Sequence, residues 1–427
     1  MLPLSFIREN KALVQERLGT RSTDIPLNQL LELDDRRRVL LSDVEQLRAK
    51  RNDLSKNIGK SSDSKRAQLI NKTREVSDEL KRSEPELAEV EARIGSLLLE
   101  IPMLPDPSVP IGNAQHPGTV HFTSTAEPTI DQDRPNHVEI AESLGILDFA
   151  RSSRISGSGF WMFMGVGAQL QRALISWLIS IQTQTHGYRE LYLPALVTDT
   201  AMTNAGKLPK FAGDSYRIDN SQLWLSPTAE VALSEFHAGE TLDANNVPAR
   251  YVAYSPAFRR EAGSAGTETR GLRRVHQFDK VELFQITAPE KSYAALEEMR
   301  SHAETALKGL ELPYRVREVA TGDLGFSAAK QYDLEVWSPG AADWLEVSSI
   351  SNCEAFQTRR AGIRLRRPEN RKTEYAHSLN GTALGLPRTF IALLETGFQK
   401  DGTVRIPEVL QPYLDNQRVL KPEDRWL

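Results

Sequence analysis

From Leu40 the apolar positions step by threes and fours through Val44, Leu47, Leu54 and Ile58, with Arg51 in one seam position. After the polar stretch SSDS the same rhythm resumes at Leu69, Thr73, Val76, Leu80, Ser83, Leu87, Val90, Ile94, Leu97 and Ile101. Two heptad segments joined by a short polar turn predict a helical hairpin, an antiparallel two-stranded coiled coil. Helices of ~35 residues would each be about 50 Å long at a rise of 1.5 Å per residue. Pro85 breaks the local rule and is expected to kink or interrupt the second helix. The N-terminal stretch MLPLSFIRENKALVQERL also reads as an amphipathic helix, with Ile7, Leu13, Val14 and Leu18 near one face.

Beyond the hairpin the pattern changes. Four prolines within residues 101–112 (IPMLPDPSVPIG) cannot continue a helix and mark a domain boundary. The expected organisation is a helical-hairpin domain over 1–101, a Pro-rich entry segment over 102–135 and a main domain over 136–427. In the main domain HVEIAESLGILDFA reads as a helix. AQLQRALISWLISIQTQTHG carries Leu170, Leu174, Trp177, Leu178 and Ile181 at helical spacing, stops near Gly187 and leads into the strand YRELYLP. RYVAYSPAF, HQFDKVELFQIT, QYDLEVW and DWLEVSS read as strands. Turns or long loops separate them, which favours an antiparallel sheet over a doubly wound one. The fold class expected is α+β, an antiparallel helical hairpin plus an antiparallel β-sheet domain flanked by helices.

Composition narrows the classes of function. Of 427 residues 53 are Lys or Arg and 57 Asp or Glu, a net charge of −4 that argues against a nucleic-acid coat protein. A local basic surface is still available. Between positions 48 and 82 lie eleven Lys and Arg, including Arg48, Lys50, Lys56, Lys72 and Arg74, against five Asp and Glu. That face is either a solvated coiled-coil flank or a contact surface for RNA phosphates, where clustered cations release counterions. The single cysteine, Cys353, excludes an intrachain disulfide and a CxxC site. No apolar run approaches the roughly 18–20 residues of a membrane span. The N-terminus has neither an h-region nor a cleavage site, and its acidic residues speak against a transit peptide. A soluble, cytoplasmic protein is expected.

Familiar catalytic signatures are missing. The chain has no GxxxxGK[ST], no GxGxxG opening a βαβ unit, no HxxxH and no GxSxG. What remains are Arg and Glu residues at strand ends, where guanidinium groups suit phosphate.

Residues 257–284, AFRREAGSAGTETRGLRRVHQFDKVELF, resemble motif 2 of the class II aminoacyl-tRNA synthetases in the form typical of seryl-tRNA synthetases. SLNGTALGLPRTFIALLE (378–395) is similar to motif 3, and GVGAQLQRALISWLISIQTQTHGYRELYLP to motif 1. LSPTAEVAL, YDLEVW, EVSSISNCEAFQTRRAGIR and IPMLPDPSVPIG also resemble the seryl enzymes. The likeness is collinear over essentially the whole chain, hairpin included. The run Ala383-Leu384-Gly385-Leu386-Pro387 departs from the Gly/Ala/Val-rich form of motif 3 but removes no charged group.

Specific roles follow from the resemblance. It implies that Arg259 binds the ATP α-phosphate, where charge grows at five-coordinate phosphorus, and that Arg388 clamps the γ-phosphate near a helix start. Glu261 resembles the carboxylate that reads the adenine amino group. Phe278 would stack on adenine beside Val275, His276 and Gln277, with Arg260 either facing ATP or solvated. In EVSS, Glu346 and Ser349 match ligands of Mg²⁺, a hard cation suited to oxygen donors, with Val347 and Ser348 beside ATP. Thr228, Ala229 and Glu230 match the loop that holds the serine ammonium; Glu282 and Thr382 match the groups on the serine hydroxyl. Alternation sends Glu282 to the face opposite Val281 and Leu283, so solvent exposure is its ordinary alternative. For the others the ordinary alternatives are a surface ion pair (Arg259), core packing (Phe278), a helix-face charge (Arg388) and a solvated strand edge (Glu346).

The resemblance implies a homodimer through the motif 1 region, with the apolar stripe at Leu170–Ile181 in its interface. It also implies that the long loop EAGSAGTETRGLRR switches between ATP and the tRNA acceptor end. The activity implied is ATP-dependent activation of L-serine and its transfer to the 3′ end of serine tRNA. The family often charges selenocysteine tRNA as well, and the sequence leaves that open. Three alternatives stay beside this reading: a non-catalytic tRNA-binding paralogue, an amino-acid:carrier-protein ligase and a coiled-coil scaffold.

Overall fold

The structure, a computed structural model, describes residues 1–21, 23, 25–125, 134–262 and 271–422. The chain forms a smaller unit of residues 2–19 and 23–101 and a larger one containing Met1, Thr20, Arg21 and the chain from Pro102 onward.

The smaller unit is helical, with α1 (Leu4–Glu9), α2 (Lys11–Thr20), α3 (Leu27–Ile58) and α4 (Asp63–Glu100). Helices α3 and α4 pair through a seam of buried Leu40, Val44, Val76, Leu80 and Leu87, flanked by Leu41, Leu47, Leu54 and Val90. The heptad reading therefore holds. It starts too late, because α3 begins at Leu27 and buries Leu27 and Leu30 as well. Near the end of α4 the buried positions are Ile94 and Leu98, with Leu97 half-buried. Pro85 does not interrupt α4, which runs through it as one helix of 38 residues. The ring sits on the exposed side of the helix, where water can take up the Lys81 carbonyl that loses its partner. On α2, Val14 and Leu18 are buried but Leu13 is exposed, so Leu13 does not belong to the apolar face.

One buried charge fastens this unit. The Asp34 carboxylate, fully shielded on α3, accepts from Arg8 Nη1 at 2.7 Å and from Arg37 Nη2 at 2.9 Å. Burial alone would raise the Asp34 pKa; hydrogen bonds from Arg8 and Arg37 reverse that and hold it below the usual carboxylate range. A carboxyl depressed in the folded state stabilises above its unfolded pKa and loses that contribution as pH falls through the folded value. Asp34→Ala should lower unfolding free energy by about 1–2 kcal/mol at neutral pH, since both arginines keep a water-facing side. In chemical denaturation the gap between variant and parent should close in acid.

In the larger unit the elements follow in the order β1 (Gly118–Thr123), α5 (His137–Ser143), α6 (Phe149–Ser156), α7 (Gly165–Gln184), β2 (Arg189–Glu190), β3 (Leu196–Thr198), α8 (Asp199–Asn204), β4 (Leu223–Leu225), α9 (Glu230–Glu235) and β5 (Thr241–Asp243). Next come the long strands β6 (Ala249–Phe258) and β7 (Gln277–Thr287), then α10 (Ser292–Gly309), β8 (Tyr314–Val319), β9 (Lys330–Ser338), β10 (Asp343–Glu354) and α11 (Phe356–Ala361). The unit closes with β11 (Arg364–Arg366), β12 (Thr373–Tyr375), β13 (His377–Gly385), α12 (Leu386–Gly397), β14 (Val404–Arg405) and β15 (Val419–Leu420).

Eight strands form one sheet in the order β1-β8-β9-β10-β13-β7-β6-β2. Every pairing in it is antiparallel except β2 with β6, as the strand pattern predicts. Helices α7, α10 and α12 pack with the strands into one large core that takes in Val281, Leu283, Leu334, Phe390 and Leu394. Residues after Pro102 already belong to this unit: the Met103 and Asp106 amides donate to the Phe326 and Ala329 carbonyls.

Two readings need correction. HVEIAESLGILDFA is not one helix: Gly145, at φ +72°, ends α5, and the Asp148 carboxylate caps α6 by accepting from the Arg151 amide. The α7 stripe is not an open interface either. Leu170, Leu174, Trp177 and Leu178 are buried in this chain's own core and Ile181 packs against it. Helical spacing shows only that a face is buried, and here the sheet and α10 of the same chain cover it.

Candidate active site

Strand β7 sets out the site by simple alternation. Val281 and Leu283 point into the core, and Phe278, Lys280 and Glu282 take the other face. Glu282 is not in solvent: it is 1% exposed, because the strand is covered on both faces. Its neighbours in register are Ala253 on β6 and Thr382 on β13.

Two β-bulges bring further residues to this face. On β10 the register shifts between Glu346 and Ser348, so Glu346, Val347 and Ser349 all line one cleft, whereas regular alternation would divide them. Ser348 turns away and donates to the Thr382 carbonyl. On β13 the shift lies between Thr382 and Leu384, and both Thr382 and Gly385 reach the cleft. Pro387 in the first turn of α12 presets the helix and delivers Arg388 to the same place.

The resulting cleft has a volume of about 230 Å³ and joins Arg259, Glu261, Val275, Phe278, Glu346, Val347, Ser349, Thr382 and Arg388. The Arg259 guanidinium lies 5.0 Å from the Phe278 ring centroid, a cation–π contact that holds it over the cleft floor. Arg388 donates to the Glu346 carbonyl at 2.9 Å and to the Arg273 carbonyl at 3.3 Å. Arg259, Glu261 and Arg274 also line a second cavity of about 540 Å³, with Lys207, Asp214 and Thr228.

Behind these lies a buried polar cluster. Lys280 Nζ donates to Thr228 Oγ1 at 3.0 Å and sits 2.5 Å from Glu282 Oε2. Glu230 accepts from Lys207 at 2.8 Å, from Gln357 at 2.7 Å and from Asn380 at 3.3 Å. The two buried carboxyls move in opposite directions. Burial pushes Glu282 up, with Lys280 opposing and the Glu230 charge adding. Burial also acts to raise Glu230, but Lys207, Lys280 and Gln357 together hold it below its usual value. Lys280 is the one close polar partner of the Glu282 carboxylate among the described residues, and a carboxylate has lone pairs enough to accept from a ligand as well. Cys353 is buried beside this cluster, and burial pushes its thiol up to about 12, which removes it as a nucleophile at neutral pH.

Not every expected residue joins the cleft. Arg260 is exposed and offers only its backbone amide, to the Asp214 carbonyl. His276 turns aside to bond the Arg259 carbonyl through Nδ1 at 3.0 Å, and Gln277 is exposed. The Ala229 side chain packs in a separate apolar cluster with Leu233 and Phe284. Most of the loop EAGSAGTETRGLRR, residues 263–270, lies outside the described residues. On the hairpin, Lys50, Lys56, Lys72 and Arg74 are exposed, and Arg48 forms an ion pair with Glu84 of the facing helix at 2.8 Å.

Sequence reading passed over Lys280, Lys207, Gln357 and Asn380. Lys280 had a usable signal: with Glu282 it forms an i, i+2 pair of opposite charges on one face of a strand whose other face carries Val281 and Leu283. Lys207, Gln357 and Asn380 come from three distant elements and had none. Among the described residues, no helix is long and apolar enough to cross a membrane.

Comparison with known proteins gives this arrangement its place. Residues 214–397 match the tRNA synthetase class II core domain (G, H, P, S and T), and residues 1–105 match the seryl-tRNA synthetase N-terminal domain. A serine–tRNA ligase of Thermomicrobium roseum is 47% identical over 98% of this chain and 94% of its own length. The crystal structure of seryl-tRNA synthetase from Pyrococcus horikoshii complexed with ATP superposes with a TM-score of 0.91 at 34% identity, covering 99% of this chain and all of that one. A cytoplasmic serine–tRNA ligase of Naegleria fowleri in complex with AMP gives 0.86 at 27% identity, with 99% of each chain covered. By sequence over its full length and by fold, the chain belongs to the serine–tRNA ligase family of class II synthetases.

Proposed function

We propose that this chain is a serine–tRNA ligase that works through the cleft between β7, β10, β13 and α12. It joins L-serine to ATP, releasing pyrophosphate, and then passes serine from the adenylate to the 3′ end of serine tRNA. The observation that carries this reading is the pairing of two features. An arginine-lined cleft for phosphates, with Arg259 and Arg388, adjoins a buried polar cluster in which the Glu282 carboxylate, paired with Lys280, has acceptor capacity to spare.

In the first step the serine carboxylate attacks the α-phosphate in line. Arg259 neutralises charge growing on that phosphate, and Arg388, at a helix start, draws the departing pyrophosphate. Phe278 and Glu261 hold the adenine. Thr228 and Glu230 take the serine ammonium, while Glu282 and Thr382 take its hydroxyl. The exposed Glu346 carboxylate and the Ser349 hydroxyl line the phosphate cleft together, a hard-oxygen pair that fits Mg²⁺. Such an ion, when bound, adds positive charge against the phosphate oxygens. In the second step the terminal ribose hydroxyl attacks the seryl carbonyl, the bond from that carbon to the adenylate phosphate oxygen breaks, and AMP leaves with the hydroxyl proton passing to it or to water. None of the cleft side chains is placed as an obvious general base, so orientation carries this step.

The test is serine-dependent pyrophosphate exchange against a panel of amino acids, followed by charging of total tRNA. Exchange with serine alone supports the reading, and exchange with another amino acid overturns it. Arg388→Ala should lower exchange by about 10²–10³-fold, the scale of losing one preorganised charge partner in the transition state. Thermal melting should shift little, because that guanidinium is one-third exposed.

The active form is a homodimer through the motif 1 region. Its support is the family and two exposed apolar side chains, Tyr192 (95%) within the motif 1 segment and Leu196 (45%) just after it. Sedimentation at micromolar concentration should give a dimer, and a monomer there would remove this part of the proposal. The reaction couples the enzyme to translation, which puts it in the cytoplasm.

A further inference from the structure

Residues 271–275 line or flank the cleft, yet they belong to no helix or strand. Leu272 is packed in the core, and its backbone is tied by one imidazole. The Leu272 amide donates to His137 Nε2 at 3.2 Å, and both residues are buried. His137 opens α5, capped by Asn136, and its ring continues into α12. Its Nδ1 lies 3.1 Å from Glu395 Oε1, and its backbone amide donates to the same oxygen at 2.9 Å. Glu395 is fully buried; its other oxygen accepts from Ser338 Oγ at 2.5 Å and from the Gly340 amide at 3.0 Å.

This network leaves one tautomer. An amide N–H aimed at Nε2 requires a lone pair there, so the proton sits on Nδ1 and is donated to Glu395. The approach is close enough to require glycine at the preceding position. Gly271 has φ +78°, and a Cβ there would meet His137 Nε2 at 2.3 Å. The anchored segment then reaches the phosphate cleft in two ways. Leu272, Arg273, Arg274 and Val275 line it, and the Arg273 carbonyl accepts from Arg388 Nε.

We propose that His137 is a positioning residue for ATP: its Nε2 fixes the Leu272 amide, and through it the Arg273 carbonyl that orients Arg388. It touches no substrate and rests on the serine–tRNA ligase reading of the cleft above.

Two isosteric substitutions separate this role from mere packing. The amide nitrogen of Asn overlays Nδ1, so His137→Asn keeps a donor to Glu395 and loses the acceptor for Leu272. The terminal amide of Gln reaches the Nε2 position and, turned with Oε1 there, accepts from Leu272, so His137→Gln keeps that acceptor and loses the Glu395 bond. In serine-dependent pyrophosphate exchange, H137N should raise the KM for ATP about tenfold, the factor one net hydrogen bond commands. The KM for serine should stay within about twofold in both variants, and H137Q should keep an ATP KM near the parent's. Amide hydrogen exchange at Leu272 should quicken in H137N and not in H137Q.

Equal effects of the two variants, or a parallel rise in both KM values, would reduce His137 to a packing role and overturn the proposal. If H137N does not fold, Gly271→Ala pushes against the same nitrogen from the other side and leaves the Glu395 bond in place. It should raise the ATP KM alone, and an unchanged ATP KM overturns the proposal. A parent enzyme inactive with serine would instead sink the assignment of the cleft, which keeps the two failures distinct.

Discussion

Alanine should support pyrophosphate exchange about 10⁴-fold less well than serine, because a site built to bond a hydroxyl rejects the analogue that lacks it. Alanine is the smaller ligand and would fit, so shape cannot supply this ratio. The discrimination has to come from groups left unpaired. Glu282 is 1% exposed and Thr382 6%, and they sit opposite each other in register on β7 and β13. Burial pushes the Glu282 carboxyl up against the pull of Lys280. With serine bound the carboxylate gains a second donor beside Lys280; with alanine it faces a methyl group at a buried position. Comparable exchange rates with the two amino acids would refute the serine-pocket assignment. Glu282→Ala should cost serine activation at least about 10²-fold while leaving ATP affinity within a few-fold, since Glu282 lies outside the phosphate cleft.

The elements that could be read from sequence are those whose signal is periodic over many residues. The heptads of α3 and α4 and the stripe of α7 each repeat often enough that a few exceptions, such as Leu97 and Pro85, do not hide the element. Of the sheet's strands β1, β8 and β13 were not read as strands, whereas β2, β6, β7, β9 and β10 were legible. Interruptions were not: nothing in HVEIAESLGILDFA outweighs its helical periodicity except Gly145, and one glycine is a weak stop signal.

The cleft was legible through motif resemblance and not through alternation. Alternation along EVSS would put Glu346 with Ser348, yet the bulge on β10 puts Glu346 with Val347 and Ser349. Bulges depend on pairing with a distant strand, so local pattern cannot reveal them. The same limit hid Lys207, Gln357 and Asn380, which converge on Glu230 from three parts of the chain. It hid His137 too, which looks like an ordinary first-turn residue until Leu272 and Glu395 close around it. And it misled on α7, where an apolar face suggested a partner molecule although the chain covers that face itself.

Removing residues 36–96 and closing the gap with a short linker should lower tRNA charging by orders of magnitude while leaving serine-dependent pyrophosphate exchange largely intact. Every residue assigned to ATP or serine lies in the larger unit, and the hairpin has its own apolar seam from Leu40 to Leu87. Helices of 32 and 38 residues extend for about 50 Å at 1.5 Å per residue, a length that small substrates do not need. The charge pattern points the same way. Lys50, Lys56, Lys72 and Arg74 are exposed in a stretch where eleven cations outnumber five acids, a surplus that an anionic partner would offset. Arg48 already has Glu84, an exposed pair of small worth that can open towards phosphate. Neutralising four of these residues should weaken tRNA binding and flatten its salt dependence together, by about 0.7–0.9 in log–log slope for each RNA phosphate that no longer meets a cation. A truncated protein that charges tRNA at the normal rate would make the hairpin a spacer. A folded truncation that loses exchange as well would show that the two units do not work separately.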